Sequence, residues 1–114
     1  KAITEGLKKI TGLFIAIIII DSMGRAWRNG TIGTAIGCYG IPALLNCRGQ
    51  FDRDGFELQT SEIAIADEIA SAASLLMGQG NEGLPAVMVR GLRWATGEGA
   101  AAELVRSRKQ DLFN

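Results

Sequence analysis

The sequence predicts an α+β chain with a mixed β-sheet and packed helices, and three observations carry that expectation. A run of eight apolar residues, 13–20, reads as a strand buried on both faces. Segment 61–77 carries Ile65, Ala66, Ile69, Ala70, Ala73, Leu76 and Met77 at helical spacing, forming one apolar stripe. Along the rest of the chain, helix-like and strand-like segments alternate, which confines the class to α+β or α/β.

Taken in order, Ile3, Leu7 and Ile10 alternate with Thr4, Gly6, Lys8 and Lys9 in a helix that closes at Gly12. The chain opens at Lys1, without a methionine and inside this helix, as expected of a piece of something longer. After the strand at 13–20, residues 21–31 read as a polar loop. Segment 31–41 is strand-like, and Gly33, Gly37 and Gly40 within it suggest close approach of another backbone or a ligand. Pro42 opens a short helical turn at 43–46. Asp54-Gly55 signals a hairpin, with 56–59 as the return strand. Thr60 or Ser61 can cap the helix 61–77, Glu62 sits in its first turn, and Gly78 stands just past its end. Asp67, Ser71 and Ser74 lie off its apolar stripe. The glycine-rich loop 78–83 leads through Pro85 into a strand at 86–90. A short helix at 100–106 and a polar tail complete the chain.

Composition narrows the function. One hundred and fourteen residues suffice for one domain that buries roughly two thirds of its unfolded surface. Twelve basic and twelve acidic residues cancel, so no global field attracts nucleic acid or an anionic membrane, and any anion binding is local. The run 13–20 falls short of the ~20 residues a bilayer span needs, and it lacks the placement and cleavage site of a signal peptide. Cys38 and Cys47 match neither a zinc pattern nor a redox pair and read as reduced thiols of a cytoplasmic protein. The chain has no histidine, which excludes a Ser-His-Asp triad, histidine-bound zinc and a histidine general base. Chemistry here must be run by metal ions, carboxylates and cations.

Those groups gather after the apolar run. Ligands of open α/β sheets sit beyond the carboxyl ends of buried strands. Asp21 there is either a metal-binding carboxylate, with the Ser22 hydroxyl as a second oxygen donor, or a turn-forming residue bonded to its own backbone. Arg25, Arg28 and Asn29 add three anion-seeking groups. Trp27 could stack on a flat heterocycle, but anchoring the loop on the core is the favoured reading. The loop Gly78-Gln79-Gly80-Asn81-Glu82-Gly83 could bring N–H groups to phosphates, although it has neither a Walker lysine nor a dinucleotide fingerprint. Gln79 and Asn81 offer neutral oxygens to a metal, or serve an ordinary turn. Glu62, Asp67 and Glu68 read as a solvated first-turn face, with Asp67 close enough to the stripe for a buried polar role.

Several separated blocks, in order, resemble one family. They are Asp21-Ser22-Met23-Gly24-Arg25-Ala26-Trp27-Arg28-Asn29-Gly30, Ala64-Ile65-Ala66-Asp67-Glu68-Ile69-Ala70, Ser74-Leu75-Leu76-Met77-Gly78-Gln79, Pro85-Ala86-Val87-Met88-Val89-Arg90-Gly91 and the ending Asp111-Leu112-Phe113. Together they are similar to the coenzyme F420-0:L-glutamate ligases over essentially the whole chain. The resemblance implies that residues 1–114 are the C-terminal part of a ligase domain about twice this long. It also implies GTP-dependent addition of L-glutamate to F420-0, and of a γ-linked glutamate to the product, through an acyl phosphate. Asp21, Ser22 and Gln79 would hold Mg²⁺ or Mn²⁺, with K⁺ as a further candidate ion. Met77, Gly78, Gln79, Gly80, Asn81, Glu82, Gly83 and Leu84 would border the GTP. Arg25 and Arg28 are assigned to catalysis, and Asn29 to the nucleotide, on their chemistry. F420-0, L-glutamate and GTP are the implied partners, in a cytoplasmic homodimer that binds neither nucleic acid nor membrane. Two other functions compete: a non-catalytic dimerisation and ligand-binding fragment, and a carboxylate–amine ligase with another acceptor.

Overall fold

The computed structural model describes residues 1–93 and 97–111. Helix α1, Ala2–Thr11, ends at Gly12, whose φ of 73° and N–H donated to the Lys8 carbonyl (2.9 Å) make a left-handed cap. Strands β1, Ile17–Arg25, and β2, Arg28–Tyr39, form a long antiparallel hairpin. A two-residue ladder joins β3, Leu45–Asn46, to β4, Glu62–Ile63. Helix α2, Ile65–Met77, packs on the hairpin. Two 3₁₀ turns, Ala101–Leu104 and Arg108–Gln110, follow. The chain is α+β, and both ladders among the described residues are antiparallel.

The hairpin changes the reading of the apolar run. Residues 21–25 are not a loop: they continue β1, paired with Arg28 and with residues 31–34 of β2. Polar and glycine residues here stay extended because a partner strand takes their backbone groups. Nor is the run buried on both faces. Leu13 and Phe14 precede the strand and are exposed, and Ile19 is half exposed. One face of the sheet is covered by α2. Between α1, residues 15–20, α2 and residues 85–89 lies an apolar trough of about 770 Å³.

Alternation along the strands sorts their side chains. Ile18 and Ile20 of β1, with Ala35 and Cys38 of β2, lie against Ala43, Ala66 and Ala70. A register shift between Ile19 and Ile20 leaves Ile36 as an extra residue on β2, a bulge. Beside it the Ala35 N–H donates to Asp67 Oδ1 (2.8 Å). Asp67 is therefore a tie between helix and strand rather than part of a solvated face.

Other expectations shift more modestly. Helix α2 begins at Ile65 rather than 61, with Ala64 at its N-cap and no side-chain cap from Thr60 or Ser61, because Glu62 and Ile63 are drawn into the β3–β4 ladder. The helical turn expected at 43–46 is that ladder's other strand. The turn at Asp54-Gly55 is present, with Asp52 Oδ1 accepting from the N–H groups of Asp54 (2.9 Å) and Phe56 (2.8 Å). Its return arm makes one bridge, Phe51 to Glu57, rather than a strand. Residues 86–90 form no strand, since none of the strands among the described residues pairs with them. The helix expected at 100–106 shrinks to the 3₁₀ turn Ala101–Leu104. Leu112 and Phe113 lie outside the described residues. No helix among the described residues is long and apolar enough to cross a membrane.

Candidate functional site

The site forms where the hairpin leaves the core. Ser22 pairs directly with Gly33 across the ladder, so both residues address the same face of the sheet, the one α2 covers. Gly33 must be glycine at this point. A Cβ there would stand 2.5 Å from Ser74 Cβ and 2.6 Å from the Ala70 carbonyl oxygen of α2. That close approach is the one its glycine content implied, and it brings the end of α2 down onto β2. Ser71 Oγ locks it by donating to the Gly33 carbonyl (2.8 Å).

Helix α2 stops at Met77. Gly78 turns the chain with φ 72° while its N–H bonds the Ser74 carbonyl (3.0 Å). The turn delivers Gln79 to Ser22, whose hydroxyl donates to Gln79 Oε1. The other end of the same amide, Nε2, donates to Ser74 Oγ (3.2 Å). Residues 57 apart in sequence thus meet, side chain to side chain. They open onto a hollow of about 510 Å³ lined by Ser22, Met77, Gly78, Gln79, Gly80, Gly83, Leu84 and Pro85. All but Pro85 were expected from the sequence.

The remaining expected residues are placed differently. Asp21 is exposed and pairs with Thr34 on β2, so alternation turns its side chain to the face opposite Ser22. Its Oδ1 accepts the Ser22 N–H (2.7 Å), which holds the carboxylate against the strand backbone. Asp21 makes no turn, because it lies within β1, but its side chain does bond the adjacent backbone as the alternative reading had it. Glu82 folds over its own loop: Oε2 accepts the Gly80 N–H (2.8 Å), and a Cβ on Gly78 would collide with its carboxyl group. One N–H that could face a phosphate is therefore already bonded to an internal anion. Asn81 is exposed beside it.

Arg25, Arg28 and Asn29 occupy the distal end of the hairpin, all exposed. Arg25 and Arg28 face each other across the last rung, and Arg25 Nη2 reaches the Asn29 carbonyl at 3.5 Å. Two guanidiniums directly opposite repel one another, and an anion between or beside them would relieve that repulsion. Trp27, at φ 62° in the connecting turn, is 90% exposed. It does not anchor the hairpin on the core, because the tip projects beyond α2.

Ser22 Oγ, Gln79 Oε1 and the Asp21 carboxylate are all oxygen donors, a set suited to a hard divalent ion and not to a thiophilic one. Among the described residues no cluster of three His, Cys, Asp or Glu side chains could hold a metal. An ion held here would complete its shell with water or phosphate oxygens, as Mg²⁺ does at nucleotide sites. Ser22 Oγ and Gln79 Oε1, which meet, fit such an ion, and the Asp21 carboxylate would have to turn from the opposite face to join them.

Sequence reasoning left a buried polar role open for Asp67, and missed Ser71 and Ser74. The three stand at i, i+4 and i+7 on α2, immediately beside the alanine stripe, and that spacing was the available signal. All three make hydrogen bonds, to Ala35 N–H, to the Gly33 carbonyl and to Gln79 respectively.

Fold and site together define an α+β chain whose hairpin meets a glycine-rich loop around oxygen donors. Residues 1–91 match the family model described as F420-0:Gamma-glutamyl ligase, and the chain belongs to that family. Curated relatives carry the name coenzyme F420:L-glutamate ligase. The one from Methanocaldococcus jannaschii is 44% identical over 111 residues, covering 97% of this chain and 45% of the relative. That from Methanothermobacter thermautotrophicus is 42% identical over 113 residues, with the same coverage of 97% and 45%. That from Archaeoglobus fulgidus is 45% identical over 105 residues, covering 92% of this chain and 42% of the relative. The chain thus spans somewhat less than half the length of the curated relatives it matches.

Proposed function

We propose that this chain supplies part of the active site of a ligase that uses GTP to join L-glutamate to coenzyme F420-0, and then adds a γ-linked glutamate. The observation that carries the reading is 44% identity across 97% of the chain to a coenzyme F420:L-glutamate ligase. The contact between Ser22 and Gln79 supports it, since it joins two segments that the resemblance assigns to one site.

The reaction is phosphoryl transfer followed by acyl transfer. An oxygen of the acceptor carboxylate attacks the γ-phosphorus, the bond to the β–γ bridging oxygen breaks, and GDP leaves. The glutamate amine then attacks the acyl carbon, phosphate departs and the nitrogen loses a proton. Both steps ask for alignment and charge neutralisation more than for a protein nucleophile. A chain without histidine meets that demand.

Mg²⁺ or Mn²⁺, with K⁺ as a further candidate, would neutralise phosphate charge when bound. Ser22 and Gln79 would hold the divalent ion by exchanging their mutual hydrogen bond for oxygen donation, and Asp21 would join them once its carboxylate leaves the Ser22 N–H and turns to their face. Met77, Gly78, Gly80, Gly83 and Leu84 would border the nucleotide. Asn81 and Glu82 would join them once the Glu82 carboxylate yields the Gly80 N–H. Arg25, Arg28 and Asn29 would bind phosphate or the acyl phosphate. The rest of a relative-length polypeptide, as a cytoplasmic homodimer, would complete the ligand set. The 114-residue chain by itself is expected to be inactive.

Mass spectrometry of F420-0 incubated with GTP, glutamate and Mg²⁺ or Mn²⁺ tests this on the full-length protein. Glutamylated product is expected from the wild type and not from Asp21→Asn. A mutant that adds glutamate normally would sink the assignment of Asp21. A wild type that adds none would sink the acceptor, in favour of a carboxylate–amine ligase acting on another substrate.

A further inference from the structure

We propose that the apolar trough beside β1 seats a β-strand, supplied by the part of a relative-length polypeptide that lies outside residues 1–114. The inference does not rest on the assignment of the metal site.

Two backbones without a ladder partner flank the trough. Strand β1 pairs with β2 along one edge, and no strand among the described residues takes its other edge. The trough is lined by the consecutive residues 15–20 and by no residue of β2. It therefore runs along the open edge of β1 and not over the face of the hairpin. Residues 85–89 line it as well. Ala86-Val87-Met88-Val89 is apolar, with β-branched residues at alternate positions, as suits a half-buried strand. No φ between Gly83 and Gly91 is positive, so nothing in this backbone forbids an extended course. Strand neighbours stand about 4.8 Å apart, so one inserted strand could pair with both edges at once.

The lining defines the occupant's chemistry. Thr11 is its one polar residue, and no charged side chain reaches it, so it suits neither a nucleotide nor a carboxylate. An apolar small molecule would fill the volume but leave the N–H and C=O groups of both edges unpaired. A strand of apolar residues satisfies the backbone and the side chains together, as in recognition by strand addition. It would pack on Ile69, Ala73 and Met77, which extend the α2 stripe into the trough. It would also cover Ile19, Met88 and Val89, which are 49%, 66% and 46% exposed. The source follows from length. This chain covers 45% of the Methanocaldococcus jannaschii relative, so more than half of such a polypeptide remains to supply the strand.

The test is NMR of the full-length protein, combining amide hydrogen exchange with nuclear Overhauser contacts. Within 17–20, the amides that do not bond β2 are expected to exchange as slowly as amides 69–73 of α2. Alternate amides of 86–90 should be protected to the same degree, since exchange tracks the opening of the structure that holds each amide. Backbone contacts should run from both edges to one and the same strand outside residues 1–114. In a sample mixing isotope-labelled and unlabelled chains, those contacts should arise within one chain. Fast exchange throughout 86–90 would overturn the proposal. Direct backbone contacts between 17–20 and 86–90 would also overturn it, because the trough would then be closed without an insert. Contacts that arise only between chains would assign the trough to a second copy and overturn it equally. None of these readouts depends on glutamylation, so each outcome leaves the proposed reaction to its own test.

Discussion

The hairpin carries two polar clusters, and the structure treats them in opposite ways. Ser22 at mid-strand, though exposed, is tied to Gln79, and through it to Ser74, at the end of the face that α2 packs on. Arg25, Arg28 and Asn29 at the tip are exposed, with a 3.5 Å contact between Arg25 and the Asn29 carbonyl. The first cluster is positioned by this chain's own packing. The second is a pair of exposed arginines opposite each other on the last rung of the hairpin. Geometry of the first kind is built by packing, whereas the second would be completed only by a bound anion.

That contrast can be broken by substitution. Ser22→Ala and Gln79→Ala should each cut glutamylation by the full-length protein about a hundredfold, the upper range for disturbing a metal site. Their melting temperatures should stay near the wild type, because both side chains are exposed. Gly33→Ala attacks the packing that positions the first cluster. The added Cβ has no room beside Ser74 and the Ala70 carbonyl, so overpacking should cost about 1–3 kcal/mol in denaturant melts. A neutral outcome would mean that α2 and β2 are not held together at this point. Arg25→Ala and Arg28→Ala should weaken GTP or acceptor binding about tenfold, the worth of one charge-assisted hydrogen bond. They should leave Mn²⁺ affinity and stability unchanged; a loss of Mn²⁺ affinity would merge the two clusters into one. The base of the hairpin offers the gentlest probe. Burial, and then the nearby Glu103 carboxylate, push the Cys38 thiol above its ordinary range. Its thiolate forms only at higher pH, so iodoacetamide should label Cys38 more slowly than it labels N-acetylcysteine at about pH 8.5. Labelling at the same rate would show the base to be open.

Local signals were legible from the sequence. Gly12 closes α1, Gly78 ends α2, and Asp54-Gly55 turns the chain, each because the residue's own conformational preference decides the matter. The family blocks also brought Ser22 and Gln79 into one expected site, although nothing in either segment alone shows the contact. What escaped was set by partners distant in the chain. Residues 21–25 have the composition of a turn, and they are a strand only because residues 31–34 and Arg28 pair with them. Ser74 was sorted as off the apolar stripe. It faces the sheet because Gly33 leaves space for it, a fact that resides in β2 and not in the helix. Residues 86–90 have strand-like side chains, but no strand among the described residues pairs with them.

The central claim is that the contact between Ser22 and Gln79 marks half of a metal–nucleotide site. A crystal structure of the full-length protein with Mn²⁺ and a non-hydrolysable GTP analogue tests it most directly. The account predicts an anomalous manganese peak about 2.2 Å from Ser22 Oγ and Gln79 Oε1, the spacing of a hard divalent ion to oxygen. Manganese bound elsewhere, with the hydrogen bond between Ser22 and Gln79 still intact, would contradict it.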